Sequence, residues 1–572
     1  SADLSPFLAV SPETGALLVF ARLTSGAVVL NAAQHEPRQT FARSDYEDLL
    51  VRLFRHKQGD SLASDLIQAA LEDLEGFKEP GSTISYLAEP DGVCISWIYA
   101  DGRDARPRRD RLRIGPNNAW EWKSGRSWEG YTDFLREISN WQTLTNRLAS
   151  ILKDRISQVK SGEERFLPLP ATVDPPFIPP TMRVGPVGAN KSECSLEAFA
   201  KRLDGDVEAH RGTTYLYFVH AEAGAGKTTA LMHMASERVS TSPERDNSKH
   251  PLFLYVSARG NVLENLDQAI NATVAETRIL TSGGVLALCR NGLLVPIIDG
   301  FDELVGSPTY SDALASLRPW LKSLGGRGVM VVSARSSYFV SLYEGSIRRE
   351  TNREINVLHL IAELDRWSPP ELNRYMEACG VASARLGDLP GEEREMLRLP
   401  FFARASVVHL RNDPATEEGD LLSHLIRGYV EREQDKLKDS TGSSVVSTEE
   451  MERFFDELAG YMMESNSREL SLDSMSLVAE YSLDKKLLPE LRKRLVALCG
   501  IDATGGIDHR FRFSHEILLD FFFGRFVANK MRIHATNELT TILTHSRLTT
   551  GATRIVGLSK SIDPATLRVL TS

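Results

Sequence analysis

The sequence predicts a multidomain α/β protein built around a parallel β-sheet. Three observations carry this prediction. Short apolar runs rich in β-formers alternate with helical patterns between about 191 and 365, as in parallel sheets whose strands are buried on both faces. A proline-rich stretch precedes this region, with a mixture of strand and helix patterns before it. Amphipathic helical patterns follow it from about 366 onward.

The composition is that of an ordinary globular protein. The chain has 572 residues, 42% hydrophobic and 25% charged, with a formal net charge of −10, so the whole chain has no electrostatic bias towards nucleic acid or anionic membranes. Its 5 cysteines form no Cys-x-x-Cys pair, which argues against a zinc site and fits a reducing compartment. No apolar run reaches the roughly 18 residues of a membrane span. We expect a cytoplasmic protein without a membrane partner.

Residues 1–160 predict a small α+β domain. One hairpin is expected between 17–20 and 27–30, and a second between 82–88 and 93–100. A serine-capped amphipathic helix is expected over 44–57, and one or two helices over 131–160.

This domain contains a dense run of arginines. The run consists of Arg103, Arg106, Arg108, Arg109, Arg111 and Arg113. It indicates either contact with nucleic acid or another polyanion, or a solvated loop that nearby aspartates partly neutralise. Both interpretations stay open at this point.

A second feature of the same domain could carry nuclease chemistry. Asp110 lies upstream of Glu121 and Lys123, which alternation places on one face of a predicted strand. Carboxylates and a lysine in this order can hold Mg²⁺ beside a scissile phosphate. The spacing is loose, so nucleic-acid cleavage is an alternative only.

The stretch over 161–190 predicts a linker. Prolines cluster there without helical or strand periodicity, at Pro168, Pro170, Pro175, Pro176, Pro179, Pro180 and Pro186. Such a composition is typical of an extended, semi-rigid connection between domains.

A phosphate-binding loop is predicted directly after the apolar run 215–219. A glycine turn follows the run and a helical pattern starts at Lys227, so backbone N–H groups and a helix N-terminus would face an anion. The usual first glycine is replaced by Ala221, and the alternative is a structural turn with a surface lysine. The predicted phosphate-binding residues are Ala223, Gly224, Ala225, Gly226, Lys227, Thr228 and Thr229.

Acidic residues end a later strand pattern over 293–298. Asp299 at this strand end can hold Mg²⁺ together with the Thr228 hydroxyl. Asp302 and Glu303 could orient and deprotonate an attacking water, with Lys227 on the terminal phosphates. The alternative is a solvated acidic turn.

Two further strand patterns, over 329–333 and 355–360, complete the predicted sheet. Arg335 follows the first of them and could reach a γ-phosphate, although a surface arginine is an alternative. With the others, these strands predict a parallel sheet whose ligands lie at the carboxyl ends of its strands.

Together the motifs HAEAGAGKTT, LLVPIIDGFDEL, VMVVSARSSYF and INVLHLIAEL resemble the NACHT branch of the STAND signal-transduction NTPases. The DGxDE form of the second motif is the specific part. Arg335 falls at the family's sensor arginine, displaced by one inserted residue. The resemblance implies a P-loop NTPase that binds ATP or ADP with Mg²⁺, hydrolyses ATP slowly and changes from a closed to an oligomeric state.

The resemblance also divides the remainder of the chain. It implies a helical domain over 366–440, a winged-helix domain over 441–530 and a helical extension over 531–572. Pro400 matches a proline that packs on adenine, or it simply starts a helix. His515, in FRFSHEILLDFFF, matches a histidine that contacts the β-phosphate of ADP; a core histidine is the alternative.

The resemblance therefore implies an ATP-dependent signalling switch in prokaryotic antiviral defence or regulated cell death. It would self-associate when a protein or nucleic-acid trigger binds, and the N-terminal domain would act as an effector or recruitment module. Residues 531–572 are too few for a repeat array, so either the chain is truncated before a sensor, or the sensing and effector functions lie in the N-terminal domain or in a separate partner protein; these alternatives stay open. Two alternatives remain: an NTPase motor that powers nucleic-acid cleavage or remodelling, and a nucleotide-binding scaffold or transcription regulator with little turnover.

Overall fold

The computed structural model divides by its contacts into two units, residues 1–141 with 278–287, and residues 142–277 with 288–572. The structure describes residues 7–10, 17–22, 28–32, 39–41, 67–89, 92–100, 105–115, 119–170, 173–209, 212–240, 250–258, 266–301, 313–336, 339, 356–411, 421–435, 446–483, 501–504, 510–513, 516–533, 535–545 and 548–558. The helix predicted over 44–57 lies outside these residues. Among the described residues no helix is long and apolar enough to cross a membrane.

The first unit contains two antiparallel sheets. The four-stranded sheet has the order β1 (Phe7–Val10), β2 (Leu17–Arg22), β3 (Val28–Ala32), β4 (Gln39–Phe41). The five-stranded sheet is a meander of β5 (Ser85–Glu89), β6 (Gly92–Ala100), β7 (Ala105–Ile114), β8 (Trp120–Ser124) and β9 (Ser127–Gly130). The pairings β2–β3 and β5–β6 confirm both predicted hairpins.

Helix α1 (Tyr131–Ile138) follows the five-stranded sheet directly. Its buried Phe134 packs against Trp122 of β8, with ring centroids 5.2 Å apart. The inner face of the sheet thereby becomes the core of this unit. The arginines of the run from Arg106 to Arg113 lie on β7, which contradicts the alternative of a loop for them, whereas Arg103 lies outside the described residues.

The nuclease arrangement is also contradicted, because the strand register separates its residues. Leu112 is opposite Trp122, and Arg113 is opposite Glu121. Side chains alternate along a strand, so Asp110 shares the inner face with Leu112 while Glu121 lies on the outer face. The buried Asp110 carboxylate instead accepts hydrogen bonds from the indole N–H groups of Trp97 (2.8 Å) and Trp122 (3.2 Å).

A segment of the predicted NTPase region belongs to the first unit. Gly76 lies so close to Gly283 that a Cβ atom on Gly76 would be 2.3 Å from the Gly283 carbonyl carbon. The Thr281 hydroxyl donates to the Gly76 carbonyl. This close backbone approach requires glycine, and it explains why residues 278–287 group with residues 1–141.

The second unit starts at Gln142, within the long helix α2 (Trp141–Phe166), and contains a seven-stranded sheet. The sheet order is β11 (Ser192–Ser195), β10 (Thr181–Pro186), β16 (Val357–Leu364), β12 (Thr214–Ala221), β15 (Val329–Arg335), β14 (Leu294–Asp299), β13 (Leu252–Ser257). Strands β12 to β16 are mutually parallel, which confirms the predicted parallel sheet. Every residue of β14 and β15 is buried, as their continuous apolar sequences require.

Part of the predicted linker belongs to this sheet. Strand β10 pairs antiparallel with β16, so residues 181–186 are not a linker. The Phe177 ring stacks on His233 with a centroid distance of 4.0 Å, and Ile178 is buried. The prolines of the predicted linker favour an extended backbone, and an extended backbone can also form a strand. Strand β10 contains one proline, Pro186, which lies at its end, where a proline is tolerated.

Helices alternate with the strands along the chain and also follow the last of them. Those between the strands are α3 (Leu196–Ala209), α4 (Lys227–Val239), α5 (Leu266–Thr277), α6 (Ser282–Arg290) and α7 (Ala313–Leu324). After the sheet come α8 (Pro369–Ala378), α9 (Ser383–Gly387), α10 (Gly391–Leu397), α11 (Pro400–Arg411) and α12 (Leu421–Asp435). Ser368 and Glu371 form the capping box of α8.

The last part of the chain combines helices with a three-stranded antiparallel sheet. The strands β17 (Leu470–Ser471), β18 (Ile501–Thr504) and β19 (Arg510–Phe513) pair in the order β17-β19-β18. The helices are α13 (Thr448–Glu464), α14 (Leu472–Leu483), α15 (Glu516–Arg532), α16 (Thr536–His545) and α17 (Thr550–Leu558). Phe455 of α13 stacks on Phe522 of α15 at 4.9 Å, so the aromatic run after β19 is core, as predicted.

Candidate nucleotide-binding site

The loop between β12 and α4 has the backbone of a phosphate cradle. Gly224 and Gly226 both have φ = 85°, a conformation that residues with a Cβ atom rarely adopt. Lys227, the first residue of α4, donates from Nζ to the carbonyls of Ala221 (2.8 Å) and Glu222 (3.1 Å). The loop thus curls around its lysine at the N-terminus of a 13-residue helix, where the helix dipole favours an anion.

The remaining predicted loop residues lie on the same curl. Ala225 is buried, Ala223 is partly buried and Thr229 is exposed. The absence of a glycine at Ala221 has a simple reason: this residue is the last of strand β12 and pairs with Arg335 of β15. A strand residue needs no left-handed backbone, so alanine serves there.

Thr228 and Asp299 meet as predicted for a magnesium pair. The Thr228 hydroxyl donates to Asp299 Oδ2 at 2.7 Å, and both side chains are buried. A hydroxyl and a carboxylate oxygen are ligands that Mg²⁺ accepts beside nucleotide phosphates. No group of three or more His, Cys, Asp or Glu side chains in the described part of the chain could hold a metal by itself. A site completed by phosphates and water suits Mg²⁺.

Two residues that the sequence analysis missed hold Asp299 in place. The Tyr255 hydroxyl donates to Asp299 Oδ2 at 2.7 Å, and the Ser333 hydroxyl donates to Oδ1. These residues come from β13 and β15, the two neighbours of β14 in the sheet. The signal was absent from the sequence because strand order, not spacing along the chain, makes them neighbours.

Arg335 ends β15 at the same edge of the sheet as the phosphate loop. It is only 8% exposed, which contradicts the alternative of a surface arginine. Its guanidinium forms an ion pair with Glu433 of α12 at 2.8 Å, and Glu433 is 0% exposed. Glu433 was not predicted as a site residue, because an amphipathic helix pattern does not mark which of its acids will be buried.

Helix α11 begins directly against the phosphate loop. The Phe401 backbone N–H donates to the Gly224 carbonyl at 3.1 Å. A Cβ atom on Gly226 would lie 3.5 Å from Pro400 Cγ, and one on Gly224 would lie 3.0 Å from Phe401 Cβ. The guanidinium of Arg432, on α12, lies 4.6 Å from the Phe401 ring centroid. Pro400 is therefore the first residue of α11 and also a neighbour of the loop; its contact with adenine stays a prediction.

Three predicted site residues lie outside the described residues: Asp302, Glu303 and His515. Their assignments to water activation and to phosphate sensing therefore stay predictions. The described residues bring together Lys227, Thr228, Asp299, Arg335 and Pro400 around one loop.

A neutral histidine borders the site. Burial lowers the pKa of His220 to about 4, so its imidazole is uncharged near neutral pH. The ring stacks on Phe339 with a centroid distance of 4.7 Å, and Nδ1 lies 3.1 Å from the Ser336 hydroxyl. His220 therefore adds no positive charge at this edge of the sheet near neutral pH.

The sheet and its loop define a P-loop NTPase fold. No protein-family model matches the chain, and no curated protein matches it. Solved structures that are similar to this chain at low identity include the three described next. The ORC2 protein of Aeropyrum pernix, in ADPNP–ADP complexes, is 16% identical, with 59% of this chain and 94% of that chain covered and a TM-score of 0.30. A Walker-type ATPase of Pyrococcus abyssi is 13% identical, with 56% and 94% covered and a TM-score of 0.32.

The third similar structure is Cdc6p from Pyrobaculum aerophilum. It is 13% identical, with 56% of this chain and 89% of that chain covered and a TM-score of 0.19. At such TM-scores these similarities carry no argument about this chain. The assignment of the candidate nucleotide-binding site therefore depends on the geometry of this chain alone.

Proposed function

We propose that this chain is an ATP-dependent molecular switch of the NACHT type, which binds and slowly hydrolyses ATP and self-associates when activated. The observation that carries the proposal is the buried ion pair between Arg335 and Glu433 at the edge of the phosphate loop. It joins the strand end that would face a γ-phosphate to a helix outside the sheet, so nucleotide state and helix position can be coupled.

The contacts of α11 and α12 support a closed state. Phe401 is hydrogen-bonded to Gly224, and Glu433 neutralises Arg335. A γ-phosphate that approaches Arg335 would compete with the Glu433 carboxylate, because one guanidinium cannot hold both anions in the same geometry. A diphosphate would leave the ion pair intact. The two nucleotides would thereby stabilise different positions of α12.

The residues of the loop have distinct expected tasks. The backbone from Ala223 to Gly226 would bind the phosphates, Lys227 would neutralise them, and Thr228 with Asp299 would hold Mg²⁺. Bound Mg²⁺ would offset phosphate charge. Asp302 and Glu303 would orient the attacking water and accept its proton. His515 would contact the β-phosphate in the closed state, and Pro400 would pack on the base.

The biological role in this proposal follows from the motif resemblance. A signalling NTPase that assembles on activation would raise the local concentration of residues 1–160, which suits an effector or recruitment module. Prokaryotic antiviral defence or regulated cell death is the context that the resemblance implies, with a protein or nucleic-acid trigger and a separate effector or sensor as partners.

The decisive experiment compares assembly with different nucleotides. Light scattering coupled to size-exclusion chromatography should give a larger mass with a non-hydrolysable ATP analogue than with ADP. Lys227→Ala should abolish both the mass change and ATP hydrolysis. Lys201→Ala, an exposed lysine on α3, is the matched control and should change neither.

Other outcomes would favour the alternatives. Unchanged mass with hydrolysis stimulated by DNA would favour a nucleic-acid motor. Nucleotide binding with no measurable turnover and no assembly would favour a scaffold or regulator. Hydrolysis that survives Lys227→Ala would remove every ATPase version of the proposal.

A further inference from the structure

The strand register sorts the charges of β7 onto opposite faces of the five-stranded sheet. Arg109, Arg111 and Arg113 alternate with the inward-facing Asp110 and Leu112. Asp110, one of the aspartates near the run, is therefore on the other face. It is bonded there to Arg108, with the Arg108 Nε 2.8 Å from Asp110 Oδ2.

The outer face collects further cations and an aromatic ring. Glu121 is opposite Arg113 in β8, and Lys123 is opposite Trp128 in β9. We call these outward residues the basic sheet face: Ile98, Arg109, Arg111, Arg113, Lys123 and Trp128. Among the described residues of β6 to β9, the carboxylate on this face is that of Glu121, whose Oε2 is 2.7 Å from the Arg113 guanidinium, and the Arg109 Nε donates to Cys94 Sγ at 3.0 Å. Positive charge thus predominates along the face.

The aromatic ring lies among the cations and is not covered by the core. Trp128 is partly exposed, and the Arg113 guanidinium lies 4.2 Å from its ring centroid. Ile98 is 38% exposed on the same face, and Leu87 of the neighbouring strand β5 is 48% exposed. Arg109 and Arg111 are exposed. The face therefore offers both cations and flat apolar surface to a ligand.

The combination of cations with flat apolar surface favours one class of polyanion over another. A duplex would present mainly phosphates to a flat sheet and would leave Trp128 and Ile98 without contacts. A single strand exposes bases that stack on aromatic rings, while arginines contact the backbone. The formal net charge of −10 for the whole chain opposes binding at long range, but salt screens it beyond about 8–10 Å. Close to the sheet, the local cations therefore determine the electrostatic attraction for a polyanion.

We propose that the basic sheet face binds single-stranded nucleic acid, with Arg109 and Arg111 on its phosphates and a base stacked beside Trp128. This inference is independent of the proposed ATP switch, since it rests on the first unit alone. The proposed binding involves neither a metal nor cleavage of the strand, because the strand register separates Asp110 from Glu121 and so excludes the nuclease arrangement.

The test is fluorescence anisotropy with the full chain and labelled single strands of DNA and RNA, each about 20 nucleotides long. We expect saturable binding at low salt. Arg109→Ala/Arg111→Ala should weaken it by about tenfold or more and reduce the slope of log affinity against log salt by about 1.4, for two lost phosphate contacts. Trp128→Leu should weaken it by about tenfold with little change in the slope.

The matched control lies on the same strand. Arg106 is exposed like Arg111, but alternation places it on the inner-face side, opposite Tyr99. Arg106→Ala removes the same charge and should leave the affinity within about twofold. Equal losses from Arg106→Ala and Arg111→Ala would overturn the proposal, since only net charge would then matter.

Competitors identify the class of ligand. A duplex of the same sequence, vesicles of phosphatidylcholine with phosphatidylserine, and polyglutamate should each compete weakly. If any of them binds through Arg109 and Arg111 as tightly as the single strand does, the proposal is wrong about its ligand. Absence of saturable binding by either single strand would overturn it altogether.

Discussion

The two charged regions of this protein use their charges in opposite ways. At the edge of the seven-stranded sheet the charged groups are buried and bonded: Asp299 is 1% exposed, and Arg335 pairs with the fully buried Glu433. On the basic sheet face, Arg109 and Arg111 are exposed. A buried charge must be matched by a partner at contact distance, whereas an exposed charge acts on ligands through its field.

The difference follows from the type of sheet. A parallel sheet is covered on both faces, so its charged residues collect where the strands end, as Asp299 and Arg335 do. An antiparallel meander can leave one face open, and its charged residues then alternate with core residues along the strand. Buried charges should therefore control stability and coupling, and exposed ones should control binding.

The largest effect is expected at the buried ion pair. Glu433→Gln removes the carboxylate charge that faces the buried Arg335 guanidinium, which should lower the free energy of unfolding by about 3–5 kcal/mol. Guanidinium unfolding followed by circular dichroism measures this. The double change Arg335→Met/Glu433→Leu removes both charges and should recover most of the loss. If Glu433→Gln left the midpoint unchanged, the pair would not be buried as described.

A smaller loss is expected when one donor to Asp299 is removed. Tyr255→Phe keeps the ring but leaves the buried carboxylate with one hydrogen bond fewer, at a cost of about 2 kcal/mol. Tyr86→Phe is the matched control: its residue is 52% exposed and its loss should stay within about 0.5 kcal/mol. Equal effects of the two substitutions in urea unfolding would show that Asp299 does not depend on Tyr255.

The next effect depends on pH. His220 has a pKa of about 4 in the folded chain, because burial disfavours its charged form, against an ordinary value of 6.5. The unfolded chain therefore binds more protons between these values, so stability is complete above pH 6.5 and declines as the pH falls towards 4. Between pH 7 and pH 5 the contribution of His220 is about 1–2 kcal/mol.

The His220 effect can be isolated by substitution. His220→Phe keeps an aromatic ring against Phe339 and has no group to titrate. Its unfolding free energy, measured by thermal and chemical denaturation from pH 7 to pH 5, should decline less than that of the parent chain. Parallel pH profiles for the two proteins would contradict the assignment of a neutral buried imidazole.

The smallest effect on stability should come from the basic sheet face. Arg109→Ala/Arg111→Ala should alter the free energy of unfolding by less than about 0.5 kcal/mol per residue, because exposed side chains contribute little to folding. Differential scanning calorimetry of the full chain with and without the two substitutions is a suitable measurement. A loss of several kcal/mol would mean that these arginines support the fold, and the contrast with Arg335 would disappear.

Much of the central domain could be read from the sequence because its signals are local. The apolar run before Gly224, the glycine turn and the lysine that starts α4 are contiguous, so spacing alone indicates strand, loop and helix. The Thr228–Asp299 contact was also predictable, since both residues follow buried strands of one parallel sheet.

The predictions that failed concern residues whose roles depend on register or on distant partners. One of the two interpretations of the arginine run placed Arg109 in a loop, but it lies on a strand; Asp110 was grouped with Glu121, but the pairing with β8 puts them on opposite faces. Residues 181–186 were assigned to a linker because proline-rich linkers and strands both have an extended backbone. A one-residue change in register reverses every side chain, and local composition carries no information about it.

The sequence by itself determined the strand–loop–helix unit at Lys227 and the acid at the end of the strand that carries Asp299, because hydrophobic periodicity and glycine placement are local properties. Only the tertiary structure decided that Tyr255 and Ser333 hold that acid, that Glu433 neutralises Arg335, and that Arg109, Arg111 and Arg113 share the outer face of β7. These arrangements depend on strand order, register and helix packing. They join residues far apart in the chain, where no spacing rule applies.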